Sequence, residues 1–196
     1  MLATGGRGAA TRAVFAIEEQ ELLLPDPIAL DTSFVVEALI ATQPRHAACG
    51  AFLAQIVGRG LSVVTSELLR VELAEAAFAI ALKERWGSRW RRHRIDGRAR
   101  RRAGRVLDDT LGRYDEMIGT VTHVSVRLSV AAESMVTLMC GYGLASYDAV
   151  HAASAVAAGA EAIVTTDTGF ALLPSPLLAV YTDRSRIASC RSKRPA

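Results

Sequence analysis

The stretch EAIVTTDTGF, Glu161–Phe170, is an apolar run that stops abruptly on two threonines and an aspartate. Its short length and β-branched content read as a buried strand. An aspartate at the end of such a strand has an ordinary explanation: its carboxylate accepts hydrogen bonds from nearby backbone N–H groups in turns and helix caps. The pattern recurs, however. PIAL, at residues 27–30, is a second apolar run delivered directly to a carboxylate, Asp31. Two buried strands that both end on an acid are explained better by a shared site than by two unrelated turns.

Outward from these strands, short β-type runs alternate with helical patterns. After PIALDTS, FVVEALIAT and RHAACGAFLAQIVGRG read as a pair of helices, and LSVVTS as a second strand. A long helix is expected from Glu67 through about Lys83, with Leu69, Leu73, Ala76, Ala77 and Ile80 at helical spacing. VLDDTLGRYDEMIG reads as a further helix, VTHVSV as a third strand and LSVAAESMVTLMCGYG as the helix it feeds. ASYDAVHAASAVAAGA is a helix ended by Gly159 in the left-handed conformation; AIVTT is the fourth strand and LLAVYT the fifth. Such alternation predicts an α/β fold with a parallel sheet covered on both faces.

In an open parallel sheet, functional groups collect at the carboxyl ends of the strands, where the strand order reverses. Asp31 and Asp167 occupy two such ends. Asp148 falls in the first turn of its helix, after Ser146 as the expected N-cap, where the helix dipole favours a negative charge facing the rim. Glu72 lies on the helix after the second strand, within about two turns of its start. Four carboxylates in one cleft raise one another's pKa unless a counter-charge is present. A divalent cation supplies it, and oxygen-only ligation without histidine or cysteine at ligand spacing selects Mg²⁺ or Mn²⁺ over zinc. Acidic metal sites of this kind act on phosphodiesters: the metal lowers the pKa of water, orients the phosphate and stabilises the leaving oxygen. The residues alone therefore predict a metal-dependent nuclease, with Asp31, Glu72, Asp148 and Asp167 as both catalytic residues and metal ligands.

Other acids compete for the role. Asp108 with Asp109, and Asp115 with Glu116, are adjacent pairs that diverge on a helix and are expected to face solvent. Glu67 is expected to offset the dipole of its helix, and Glu75, one turn beyond Glu72, is the residue most easily mistaken for it. GYGLAS, from Gly141, imitates a dinucleotide-binding loop, but it follows a helix instead of a strand, and no G-x-x-x-x-G-K pattern is present. A Rossmann-type oxidoreductase is thereby disfavoured.

With 196 residues, 51% of them hydrophobic, the chain can build one substantial core. Cys49, Cys140 and Cys190 are odd in number and far apart, matching neither a metal site nor a disulfide scaffold. No stretch approaches the roughly 18 apolar residues of a membrane span, and the N-terminus lacks a continuous apolar leader. The expectation is a cytoplasmic protein with no membrane segment. Residues 1–27 read as an extension that ends where Pro25 and Pro27 introduce the first strand.

Charge is distributed unevenly. The block from Lys83 to Arg105 holds eleven Lys or Arg against Glu84 and Asp96, a local balance of +9, so the remainder carries −6 of the chain's net +3. A basic block on an acidic body suits an electrostatic partner such as RNA, DNA or an acidic protein surface; a solvated loop or helix is the bland reading. Trp86 and Trp90 lie among the arginines, where aromatic rings stack on unpaired bases. At i, i+4 spacing they equally suit core anchors. Arg91, Arg92, Arg100, Arg101 and Arg102 are the candidate RNA contacts.

LDTSFVVEAL, SELLRVELAEA, SYDAVHAASA and IVTTDTGF, in this order, resemble the motif set of PIN-domain ribonucleases, in particular the VapC-type toxins of toxin–antitoxin pairs. The similarity covers about Ile28 to Thr182. It implies a three-layer α/β/α sandwich with a parallel five-stranded sheet, a Mg²⁺ or Mn²⁺ site, endonucleolytic cleavage of structured RNA, dimerisation, and inhibition by a small antitoxin. The acidic residues of the motif set fall on Asp31, Glu72, Asp148 and Asp167. Its threonine falls on Thr165, whose hydroxyl would hold a water or a carboxylate of the site, and D-A-x-H places His151 as a packing or hydrogen-bonding residue. The implied organisation is an extension at 1–27, a PIN-like nuclease domain at 28–182 with a basic insertion at 83–105, and a basic tail at 183–196. Two features lack a counterpart in the motif set, the extension and the length of the basic insertion. A non-catalytic RNA-binding or antitoxin-sequestered module, or a housekeeping PIN nuclease, is the alternative; retention of all four acids speaks against the non-catalytic form.

Overall fold

A computed structural model describes residues 14–19, 22–174 and 176–192, so part of the expected extension (1–13) and of the tail (193–196) lies outside the described residues. All six of its strands run parallel in one sheet, in the order β1-β6-β5-β2-β3-β4. They are β1 (Val14–Ala16), β2 (Ile28–Leu30), β3 (Val63–Ser66), β4 (His123–Val126), β5 (Ala162–Val164) and β6 (Ala179–Thr182). The expected five-stranded sheet is corrected to six. The additional strand is β1, which pairs with β6 from Val14 opposite Val180 to Ala16 opposite Thr182. It is only three residues long, and its anchor is a long-range contact, Phe15 stacked on Tyr181 at 5.1 Å, that no local pattern announces.

Side chains alternate between the faces of the sheet, as the two-residue repeat of a strand requires. Ile28, Leu30, Ala162 and Val164 enter a core shared with α1 (Thr32–Leu39), α2 (His46–Gly58) and the sheet-proximal parts of α3 (Leu68–Trp86) and α4 (Gly97–Gly119). Ala29, Val64, Ile163 and Val180 enter the opposite core, against α5 (Leu128–Tyr142) and α6 (Ser146–Ala157). The result is the three-layer α/β/α sandwich. A last helix, α7 (Arg184–Ser192), follows β6. Gly159 takes a φ of +73° after α6, as expected of a left-handed stop. Ser146 is not the N-cap of α6: Ala145 holds the extended backbone there and Ser146 is already helical.

The basic block is ordered helix, not loop. After α3 comes a 3₁₀ segment, Gly87–Ile95, and then α4, which begins nine residues before the expected Val106. Asp96 caps α4 by accepting from the backbone N–H groups of Arg98 and Ala99 at 2.7 and 2.9 Å. A third small core fills this hairpin, with Trp90, Leu82, Ala79, Ala81, Ala99 and Ala103 buried together. Trp90 is thus a core anchor and is not available to stack on a base, while Trp86 stacks on His93 at 4.7 Å. No single helix among the described residues is long and apolar enough to cross a membrane.

Candidate active site

The sheet order reverses between β2 and β5: β3 and β4 extend to one side, β6 and β1 to the other. The carboxyl ends of these two central strands deliver Asp31 and Thr165-Thr166-Asp167 to one rim. Asp31 caps α1 with its Oδ2, which accepts from the Ser33 backbone N–H (3.2 Å), the Ser33 hydroxyl (2.5 Å) and the Thr165 hydroxyl (2.8 Å). Return bonds fasten the β5 end, since Thr166 N–H donates to Ser33 Oγ at 3.0 Å and Asp167 N–H to Thr165 Oγ1 at 2.9 Å. Asp167 in turn accepts from Gly169 N–H at 2.7 Å. Both aspartates are therefore caps, and both stand at the switch point. The ordinary explanation of the strand-end acid and the functional one describe the same residues.

Glu72 enters from α3. Its Oε2 accepts from the Thr32 hydroxyl at 2.6 Å and lies 2.7 Å from His151 Nε2. The buried His151, on α6, also stands 3.7 Å from Asp31 Oδ1, and its Nδ1 is 3.0 Å from the Ser66 hydroxyl at the end of β3. Burial works against the Glu72 charge, yet the bonds from His151 and Thr32 hold its pKa below the usual carboxylate value. The same burial opposes a charged His151, but Glu72 and then Asp31 hold the ring above its ordinary pKa.

Asp148 lies one turn before His151 on α6. Burial, then the charges of Asp167 and Asp31, push it up to about 6. A Cβ on Gly169 would stand 3.0 Å from Asp148 Oδ2 and 3.2 Å from Asp167 Oδ1, so the glycine leaves these two carboxylates room to converge. Asp31, Glu72, Asp148, Asp167 and Thr165 thus meet at one rim. Among the described residues no three acidic or imidazole groups already share one cation position. Asp31 and Glu72 are turned toward hydroxyl and imidazole donors, and Asp148 is repelled by its neighbours. The donor set is carboxylate and hydroxyl oxygen, which fits a hard divalent cation, and the raised Asp148 is the charge such an ion would relieve.

The competing acids stand apart from this rim. Glu75 forms a forked ion pair with Arg94 at 2.5 and 2.9 Å, and Glu67 accepts from Leu128 N–H at 3.0 Å, tying the starts of α3 and α5. Asp115 pairs with Arg70 and Asp109 with Arg113, all exposed. The sequence reading missed Thr32, Ser33 and Ser66, and the part His151 plays in holding Glu72. Ser33 had a local signal, the Asx-type turn after Asp31. The others act across 40 to 119 residues and had none.

Fold and site together define a three-layer α/β/α domain with an acidic cleft at its topological switch point. The PIN domain family description matches residues 28–175, and the chain belongs to that family. PIN domains are generally nucleases that use divalent metal ions. Two solved structures are similar in fold. The complex VapBC2 from Rickettsia felis, bound to a DNA fragment from its promoter, is 16% identical, aligned over 78% of this chain and 97% of that one, with a TM-score of 0.48. FitAcB from Neisseria gonorrhoeae is 18% identical over 79% of this chain and 96% of that one, with a TM-score of 0.49. Comparison with curated proteins gives no match.

Proposed function

We propose that this chain is a Mg²⁺- or Mn²⁺-dependent endoribonuclease and the toxin of a type II toxin–antitoxin pair. The observation that carries the nuclease reading is the meeting of Asp31, Glu72, Asp148 and Asp167 at the β2/β5 switch point, with Asp148 pushed up to about 6 by burial and then by Asp167 and Asp31. RNA as substrate rests on the four motifs quoted above and on the basic block, a small cognate antitoxin and a homodimer on the motifs, and a cytoplasmic setting on the three scattered cysteines.

Asp31, Glu72, Asp148 and Asp167 would hold the cation. When bound, it supplies charge that acidifies water and offsets charge building on the phosphate. The chain's own residues provide the rest. Ser33 and Thr165 fix the Asp31 carboxylate in one orientation, and Thr32 and His151 do the same for Glu72. Such fixed acceptors need little reorganisation during reaction. Gly169 keeps side chains out of the space between Asp148 and Asp167. Arg91, Arg92, Arg100, Arg101 and Arg102, all exposed, are the candidates for contact with the RNA backbone.

The test is cleavage of labelled RNA by purified protein in Mg²⁺, Mn²⁺ or excess chelator. Cleavage should need the cation and be lost in Asp31→Asn, Glu72→Gln and Asp148→Asn variants that still fold. Full, chelator-resistant activity in the Asp31 variant ends this reading.

A further inference from the structure

The basic hairpin and the acidic cleft share one helix. Glu72 and Glu75 lie three residues apart and so on the same side of α3, about 4.5 Å apart along its axis. The 3₁₀ segment folds back onto that side: Arg94 forks Glu75 and stands 5.3 Å from the Phe78 ring centroid. Further along, Lys83 lies 5.4 Å and Arg91 4.9 Å from the buried Trp90 ring. From Glu75 to Trp86, α3 rises by about 16 Å. The small core of Trp90, Leu82, Ala99 and Ala103 holds the 3₁₀ segment and the start of α4 against it. Arg89, Arg92, Arg98, Arg100, Arg101 and Arg102 are exposed around this core, and on α4 Arg98, Arg101 and Arg102 share one side. The exposed arginines therefore continue outward from the Glu75–Arg94 pair, which lies one helical turn from Glu72.

We propose that this ridge is a phosphate track that holds the RNA strand on one side of the scissile bond and leads it to Glu72. The inference rests on the ribonuclease reading and deepens it, because it sets the kind of substrate. About 20 Å of ridge spans roughly six nucleotides at the ~3.4 Å rise of a stacked strand. The substrate is thus RNA with several ordered nucleotides on one side of the cut, and very short oligonucleotides fall off the ridge. Arg94 and Arg91 are structural here, one through Glu75 and the other through Trp90. Arg92, Arg100, Arg101 and Arg102 make the contacts.

The test is fluorescence anisotropy in excess chelator, with labelled single-stranded RNAs of about 3 to about 12 nucleotides, over a salt series. Affinity of the parent should climb with length up to about six to eight nucleotides and then level. A variant with Arg92, Arg100, Arg101 and Arg102 changed to Gln should lose that climb, and its salt slope should flatten by about three units at ~0.7 per contact. Changing the same four residues to Lys should restore most of both, which separates charge from misfolding, and melting curves check the fold. An unchanged slope and length profile in the Gln variant overturns the proposal. So does a Gln variant that binds RNA like the parent but no longer binds a small protein partner or a second copy of itself. Length-dependent binding without cleavage in Mg²⁺ or Mn²⁺ would remove the nuclease reading and leave the track. Cleavage without length dependence would remove the track alone.

Discussion

Asp148 is the carboxylate of the site whose surroundings oppose its charge. Its folded pKa of about 6 lies above the ordinary 3.8, so the native state binds the proton more tightly than the unfolded chain. Stability of the metal-free protein therefore falls as pH rises from near 3.8 through about 6, and stays lowered above that. Asp148→Asn removes the titration. Calorimetry in excess chelator should find the variant melting above the parent at neutral pH, the gap closing by about pH 4. A variant that melts lower at neutral pH contradicts this account. The Glu72–His151 contact has the opposite sign. Glu72 is lowered, so its contribution is present above its ordinary 4.5 and lost as pH falls; His151 is raised, so its contribution is present below its ordinary 6.5 and lost as pH rises. His151→Asn should cost stability most between these two values, in urea titrations across pH, and a pH-independent loss would show that the ring acts by packing alone. Asp31, Asp148 and Asp167 were legible because each sits at a strand end or in the first turn of a helix, and Glu72 because it follows β3 within two turns of the start of α3. Thr32 was not, and for His151 only a packing or hydrogen-bonding role was legible and not its partners, because these contacts form only when β2, α3 and α6 converge.

At the scale of elements, the alternation of strands and helices was readable from local periodicity, and the central strands fell where the apolar runs placed them. The start of α4 was not recognised, although its signal was present. Ala99, Ala103, Thr110, Tyr114 and Met117 are its buried positions and follow a helical repeat, but the arginines between them make the segment look like solvent-exposed loop. Alanines are weak markers of a core because they are common on both faces of helices. The hairpin they form stands on its own small cluster, apart from the two sheet cores, so it forms a separate unit of stability. Trp90→Ala removes the largest side chain of that cluster, and Trp→Ala changes in cores cost about 3–5 kcal/mol. The expected result is opening confined to residues 87–105. Hydrogen exchange should lose protection there while β2, β3 and β5 keep theirs. Uniform loss of protection across the sheet would mean that the hairpin is continuous with the main core.

For the molecule as a whole, the arrangement separates two charges: a cleft of four carboxylates at the switch point and a ridge of +9 beginning one turn away. The sign asymmetry was visible in the sequence, but its distance from the cleft was not, since it depends on the 3₁₀ segment folding back until Arg94 meets Glu75. β1 escaped notice for a similar reason, being three residues held by a partner strand about 165 positions away. An acidic cleft of this kind is also a docking site for a cation carried by another protein. Arginine suits it best, because a planar guanidinium makes two parallel bonds to a carboxylate. If the chain is a toxin, a small protein encoded beside it should silence it by placing such a side chain among Asp31, Glu72, Asp148 and Asp167. Expression of the chain alone should then slow growth, Asp31→Asn should abolish the effect, and co-expression of the neighbour should restore growth while the purified pair fails to cut RNA. Mutating the neighbour's arginine to glutamine should release cleavage even if the two proteins still associate. Harmless expression of a chain that cuts RNA in vitro, with no neighbour that binds it, would instead make it a housekeeping nuclease whose cleft is governed by substrate supply.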